Sequence, residues 1–420
     1  MDNPRNLFYA QSGGVTAVIN ATAAGVIETA RAAPERIGTV FAGRNGIVGA
    51  LKEELIDTRY ESAEDIAALR HTPGGAFGSV RYKLKGLEES RAEYERLIDV
   101  FRAHNIGYFI YNGGNDSMDT ANKVSMMARL LGYDLVAVGA PKTVDNDLPL
   151  TDVCPGFGSV AKYVAISTLE AGFDVRSMYQ TKVFIVEVMG RHAGWIAAAG
   201  GLAGPDSSHP PHMILFPEVV FDEDRFVEAV ADRVERYGNC VIVASEGIRT
   251  ADGRFVSETG HQDAFGHAQL GGVAQHLAEV IRGRLGLKFH YAVADYLQRS
   301  ARHIASKVDA EQAYALGVAA TEMALAGKHG KMPIIKRLSN EPYRWEIAEV
   351  NLSDVANVER HVPPEFITED GYGITEAARR YLKPLIEGED YPPYEGGIPR
   401  YVILKQQMAA KKLPAWQPKG

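Results

Sequence analysis

The chain has 420 residues, of which 46% are hydrophobic and 23% charged, and carries a net charge of −8. That length points to two or three lobes rather than one average domain, with ample material for a core. The acidic balance argues against nucleic acid as a partner, which takes a basic face, but an anionic small substrate remains open because a few cations can dominate a cleft.

The first residues, Met1-Asp2-Asn3-Pro4-Arg5-Asn6, lack the apolar core of a signal peptide. No later apolar run approaches the roughly 20 residues that span a bilayer. A cytoplasmic location without membrane contact is therefore expected. Asn6-Leu7-Phe8-Tyr9-Ala10 reads as a strand, Gln11-Ser12-Gly13-Gly14 as a turn, and Thr16 to Ala33 as an alanine-rich helix. Residues 37–42 read as a second strand and Asp65 to Arg70 as a helix. The glycine-rich loop Gly74-Gly75-Ala76-Phe77-Gly78-Ser79 comes next, then an amphipathic helix from Glu88 to His104. Tyr108-Phe109-Ile110-Tyr111 and Leu135-Val136-Ala137-Val138 are strands, with a helix from about Asp119 to Leu131 between them. A second series follows: a helix from Val160 to Phe173, strands at Thr181 to Val188, Met213 to Phe216 and Cys240 to Ala244, and a helix from Asp224 to Arg236. Strands alternating with helices imply an α/β fold with mostly parallel sheets. The boundaries read as a first lobe over 1–157, a second over 158–305, and C-terminal helices with an extended tail over 306–420 that pack back on both. Cys154 and Cys240 are the only cysteines and read as reduced, partly buried thiols.

Chemistry gathers at strand ends, where open α/β sheets bind ligands. Gly113-Gly114-Asn115-Asp116-Ser117 follows one predicted strand, and Pro141-Lys142-Thr143-Val144-Asp145-Asn146-Asp147 follows the next. Together they present glycine backbone, carboxylates, hydroxyls and a lysine, a set suited to phosphoryl transfer. Asp145 and Asp147 lie two residues apart and at extended spacing point the same way. One would accept a hydroxyl proton while the other holds Mg²⁺; otherwise the stretch is a polar Asx turn. Ser12-Gly13-Gly14 is either a phosphate cradle at a helix N-terminus or a plain tight turn. Met189-Gly190-Arg191-His192 closes a buried strand, and Arg191 suits bidentate phosphate binding. Glu246 ends another strand, where it would accept sugar hydroxyls or face solvent. Arg81, Lys83 and Lys85 alternate, so a strand would put them on one face, as a polyphosphate clamp or a solvated edge. Gly156-Phe157-Gly158-Ser159-Val160-Ala161 fits a dinucleotide pattern, but the preceding residues make a poor strand, so nicotinamide or flavin is not expected. No G-x-x-x-x-G-K-[ST] loop occurs.

Taken in this order, from Tyr9-Ala10-Gln11-Ser12-Gly13-Gly14 to Tyr296-Leu297-Gln298-Arg299, the motifs resemble the phosphofructokinase family over about three-quarters of the chain. The resemblance implies two similar three-layer α/β lobes, the first binding the phosphoryl donor and the second the sugar phosphate, with the active site in the cleft between them. It implies a homodimer or homotetramer whose sites are shared between subunits. Gly13, Gly14, Arg81, Gly114, Asp116 and Lys142 would bind the donor. Asp145 would deprotonate the sugar 1-hydroxyl, with Lys142, Asp116 and Arg191 as further catalytic groups. Thr143, Asp145, Met189, Gly190, Arg191, Glu246, Tyr296 and Arg299 would hold fructose 6-phosphate. Lys182 stands where the family has a cation facing the neighbouring subunit's 6-phosphate. The position nine before Arg299, another such cation in many members, is His290, and Lys288 is the nearby substitute.

Donor choice follows from two departures. ATP-using members carry Gly-Gly-Asp-Gly-Ser and Gly-Thr-Ile-Asp; here Asp116 and Lys142 replace two of those residues, as in the pyrophosphate-dependent branch. A carboxylate at Asp116 would sit where an ATP α-phosphate must go, and two anions about 4 Å apart repel by roughly 4 kcal/mol at an effective dielectric of 20. Asn115 replaces a metal-binding aspartate of the family, so Mg²⁺ would rely more on Asp147 and on pyrophosphate. The expectation is Mg²⁺-dependent, reversible transfer from pyrophosphate to fructose 6-phosphate, in glycolysis or gluconeogenesis. The same fold using ATP, or a preference for another ketose phosphate such as sedoheptulose 7-phosphate, are the alternatives.

Overall fold

A computed structural model describes residues 4–262, 268–270 and 272–417; Met1, Asp2 and Asn3 of the N-terminal segment lie outside them. The first lobe is built on β1 (Arg5–Ser12), α1 (Ile19–Arg31), β2 (Ile37–Gly43), β3 (Leu55–Asp57), β4 (Ile106–Gly113), α2 (Asn115–Leu130) and β5 (Val136–Pro141). The second holds α3 (Phe157–Ser177), β6 (Val183–Val188), β7 (Met213–Leu215), β8 (Cys240–Ser245), β9 (Phe289–Val293) and α4 (Asp295–Ser300). The chain then forms α5 (Lys307–Leu325) and the hairpin β10 (Lys331–Asn340) and β11 (Tyr343–Asn351).

Side chains on a strand alternate between faces, and both sheets use that alternation to bury two helical layers. Leu7 and Tyr9 pack with Val26 and Ile27 of α1, whereas Phe8 and Ala10 pack with Leu97 and Phe101 on the opposite face. In the second lobe Val186 and Val188 meet Phe157 and Trp195, and Val183 and Ile185 meet Phe226 and Leu277. Each lobe is therefore three-layered. The first sheet runs β11-β10-β5-β4-β1-β2-β3, with Ser79–Val80 also beside β1; the second runs β9-β6-β8-β7. The second sheet is parallel throughout, and in the first the β1, β2, β4 and β5 pairings are parallel. Both cysteines are buried and free, and burial pushes each thiol up to about 12. Among the described residues no helix is long and apolar enough to cross a membrane.

Two helices begin earlier than local pattern predicts. α2 starts directly after Gly114, whose carbonyl accepts from the Ser117 and Met118 amides at 3.0 Å each, so Asn115 and Asp116 sit in its first turn. α3 starts at Phe157 because the buried Asp309 carboxylate accepts the Gly156 and Ser159 amides, both at 2.9 Å. That carboxylate occupies the place a dinucleotide phosphate would take at a helix N-terminus. Beyond residue 306, the β10–β11 hairpin extends the first sheet through parallel pairing of β10 with β5. The tail is pinned by Glu53, which accepts the Lys412 and Leu413 amides at 2.5 and 3.1 Å.

Candidate active site

The ends of β1, β4 and β5 meet at one turn. The Lys142 amide donates to the Gly113 carbonyl at 3.0 Å, which brings the two glycine- and aspartate-bearing loops together. Gly13 has φ +72°, a conformation side chains resist. The Lys142 ammonium, with its residue only 3% exposed, donates to the Gly14 carbonyl at 2.6 Å. A Cβ on Gly14 would lie 2.6 Å from an Arg299 guanidinium nitrogen and 3.5 Å from one of Arg81. The missing side chain lets both arginines close on the turn. Burial, then the Arg81 and Arg299 charges, push Lys142 down to about 7. Three cations gathered against glycine backbone make a site that gains from an anion. Arg299, read from sequence as a sugar-phosphate residue, thus lies at the Gly13–Gly14 turn as well as 3.7 Å from the Tyr296 ring centre.

The carboxylates face this turn by a route other than extended spacing. Residues 144 and 145 form a turn, the Asp145 amide donates to Thr143 Oγ1 at 3.1 Å, and Asn146 has φ +54°. Burial pushes Asp145 up, and Lys142, Arg81, Arg191 and His192 hold it back. Burial, then Asp145 and Glu359, push Asp147 up to about 7. From the other lobe, Glu246 reaches about 7 through burial and then the Asp145 charge, so acids of the two lobes sense each other across the cleft. The Gly190 amide donates to Glu246 at 3.4 Å, and Ser245 Oγ donates to the Gly190 carbonyl at 2.6 Å. Gln298, buried on α4, accepts the Met189 amide at 3.3 Å and so ties the Met189-Gly190-Arg191 turn to the Tyr296–Arg299 segment. Gln298 carried no signal in the sequence beyond its place inside Tyr296-Leu297-Gln298-Arg299, and Ser245 none beyond its place before Glu246.

Other expectations change. Arg81, Lys83 and Lys85 do not form a three-cation strand face, because only Ser79–Val80 is strand. Arg81 reaches Gly14, Lys85 pairs with Glu89 at 2.6 Å, and Lys83 pairs with Asp116 at 2.7 Å. The Asp116 charge is therefore partly offset, so it would repel a nearby phosphate less than a bare carboxylate does. Lys182 stands before β6 and Met189 just after it, roughly 23 Å apart at about 3.3 Å per residue. Lys288 and His290 lie at that same far end, since Phe289 is in register with Val183. None of the three reaches the cleft of its own chain.

Asn115 and Asp147 fit a hard cation. Oδ1 of Asn115 and Oδ1 of Asp147 are buried oxygens without a hydrogen-bond partner among the described residues, as a cation ligand requires; Asn115 Nδ2 is also unpartnered but is a donor and would not ligate. No cluster of three or more His, Cys, Asp or Glu side chains among those residues could hold a metal by itself. A cation here would take oxygens from substrate, as Mg²⁺ commonly does.

Residues 6–324 match the phosphofructokinase family. A pyrophosphate–fructose 6-phosphate 1-phosphotransferase of Methylococcus capsulatus is 68% identical over 98% of this chain and 98% of its own. Crystal structures titled pyrophosphate-dependent phosphofructokinase are similarly close. That from Marinobacter aquaeolei is 60% identical with a TM-score of 0.90, covering 98% of this chain and 99% of its own. That from Nitrosospira multiformis is 58% identical with a TM-score of 0.91, covering 99% and 100%. The two α/β lobes, the glycine turn that Arg299 of the second lobe reaches and the match over residues 6–324 agree, and the chain belongs to the phosphofructokinase family.

Proposed function

We propose that this cleft transfers a phosphoryl group from pyrophosphate to the 1-hydroxyl of fructose 6-phosphate, reversibly. The observation that carries the reading is the three-cation glycine turn facing the buried Asp145 carboxylate. Asp145 accepts the hydroxyl proton as the sugar oxygen attacks phosphorus. The bond from that phosphorus to the bridging oxygen breaks, and the leaving phosphate carries the electron pair toward Lys142 and Arg81 at Gly13 and Gly14. Charge stabilisation of this kind is the main work in phosphoryl transfer. Thr143, Met189, Gly190, Arg191, Glu246 and Tyr296 hold the sugar phosphate, and Arg299 lies between the two substrates. Asn115 and Asp147 would hold Mg²⁺, which supplies charge neutralisation on the donor; Gly114 leaves the donor room beside them. The names of the relatives support pyrophosphate as donor, as do Lys142 and Asp116.

The test is initial-rate phosphorylation of fructose 6-phosphate with pyrophosphate and with ATP on one preparation. The expected kcat/KM is at least about a hundredfold higher with pyrophosphate, lost on chelation of divalent cations and restored by Mg²⁺. Comparable or better use of ATP overturns the donor assignment. A clear preference for sedoheptulose 7-phosphate would overturn the acceptor.

The family resemblance puts a neighbouring subunit's cation at the Lys182 position, and Lys182 lies too far from its own cleft to act there; on that basis the site is read as one shared with a second copy in a homo-oligomer. Tyr179, at 92% exposure, and Phe173 and Leu297 leave apolar surface around α3 and α4 for that copy. Mixing and reassembling Lys182→Ala with Asp145→Ala subunits one to one is expected to restore about a quarter of wild-type turnover, because half the sites in a mixed dimer are intact. No recovery, with exchange of subunits demonstrated, refutes sharing.

A further inference from the structure

Besides Thr143 and the Cys154 amide, which donates to Asn146 Oδ1 at 3.0 Å, the groups that hold the Asp145–Asp147 loop come from beyond the region that matches the family, which ends at residue 324. We infer that Arg360 is a positioning residue for this loop, and that the strap 359–362 sets the loop against the Arg191 turn of the other lobe. What the loop does rests on the phosphotransferase reading above; how it is held rests on geometry alone.

Asn146 separates the two carboxylates at φ +54°, a left-handed region that asparagine enters more readily than most residues other than glycine but that is still sparsely populated. Such a turn persists where its surroundings over-determine it. The Arg360 guanidinium donates to the Asn146 carbonyl at 2.9 and 3.2 Å, to Thr151 at 2.8 Å and to Asp152 at 2.9 Å. The Arg360 amide donates to the Asp147 carbonyl at 2.7 Å. A rigid five-donor fork thus ties both ends of one loop, which a point-like ammonium cannot do. Tyr381 completes the hold: its hydroxyl accepts the Asn146 side-chain amide at 2.9 Å and donates to the Asp152 carbonyl at 2.6 Å.

The same strap grips the second lobe. The Trp195 indole donates to the Arg360 carbonyl at 3.0 Å, and the guanidinium lies 4.9 Å from that ring. Glu359 meets His192, next to Arg191, at 3.1 Å. Glu218 accepts both the Val362 and Gly194 amides at 2.9 Å. An acceptor sugar held at Arg191 must present its hydroxyl to Asp145 within a fraction of an ångström, and an error near 1 Å can cost about a hundredfold in rate. A strap common to both turns defines that distance.

The experiment compares wild type, Arg360→Ala and Arg360→Lys by steady-state kinetics and by amide hydrogen exchange of the full chain. Arg360→Ala is expected to lose about a hundredfold in kcat with each KM within about threefold. Exchange should quicken in residues 144–154 and stay unchanged in β6 and β8. Millimolar guanidinium should restore part of kcat to Arg360→Ala, and Arg360→Lys should restore little. Wild-type kcat in Arg360→Ala, unchanged exchange in 144–154, or a uniform rise across all strands each overturns the inference. If wild type turns over neither donor, the phosphotransferase reading fails, and the exchange pattern alone decides the role of Arg360.

Discussion

Asp145→Asn is expected to lower kcat about a thousandfold, within the usual range for removing a general base, while fructose 6-phosphate binding changes by less than about threefold. The amide keeps the shape of the carboxylate but does not accept the hydroxyl proton. The side chain is buried beside Lys142, Arg81 and Arg191, so its loss also leaves those cations less balanced. That imbalance favours anionic substrate, which is why binding survives while turnover fails. Steady-state rates together with calorimetric titration of fructose 6-phosphate separate the two quantities. A kcat within tenfold of wild type removes Asp145 from the role of base. Loss of binding in step with rate would make it a binding group.

Donor choice is the second large effect. Lys142→Met keeps most of the side-chain volume and removes the buried ammonium that donates to Gly14. Deleting one preorganised charge at a transition state costs about a hundred- to a thousandfold, and that loss is expected in kcat with pyrophosphate. Asp116→Gly acts in the opposite sense on ATP. Repulsion of roughly 4 kcal/mol from an unpaired carboxylate would correspond to nearly a thousandfold. Lys83, at 2.7 Å from Asp116, offsets part of that charge, so the expected gain in ATP kcat/KM is about ten- to a hundredfold. Removing Asp116 also releases Lys83 toward incoming phosphate. The double variant Lys83→Met/Asp116→Gly distinguishes the two contributions: a gain that persists belongs to the lost carboxylate, and one that disappears belongs to the freed lysine. No gain in either variant places the ATP block elsewhere.

Local rules reach as far as the signals are local. Alternating apolar strands with glycine at their ends mark β1, β4 and β5, and the residues just beyond them are short-range signals. That is why Gly13, Lys142, Asp145 and Glu246 stand out without coordinates. Helix starts were less legible, because a backbone carbonyl at Gly114 and a carboxylate at Asp309 set them. Asp309 lies 153 residues from the Gly156 amide that it caps. The β10–β11 hairpin is less legible: the buried run of β10 is only Met332-Pro333-Ile334-Ile335, interrupted by a proline, and β11 is a half-exposed edge strand.

The α/β alternation, the glycine-rich turns at the strand ends and the identities of the charged groups are written in the chain itself, since propensity, periodicity and glycine's freedom act over a few residues. Tertiary structure decided which charges meet. It brought Arg299 to Gly14, paired Lys83 with Asp116 and carried Arg360 across 214 residues to the Asn146 carbonyl. It also left Lys182 at the far end of its strand. Such pairings depend on packing two sheets and a long C-terminal segment into one body, and a residue's electrostatic environment exists only after that packing is complete.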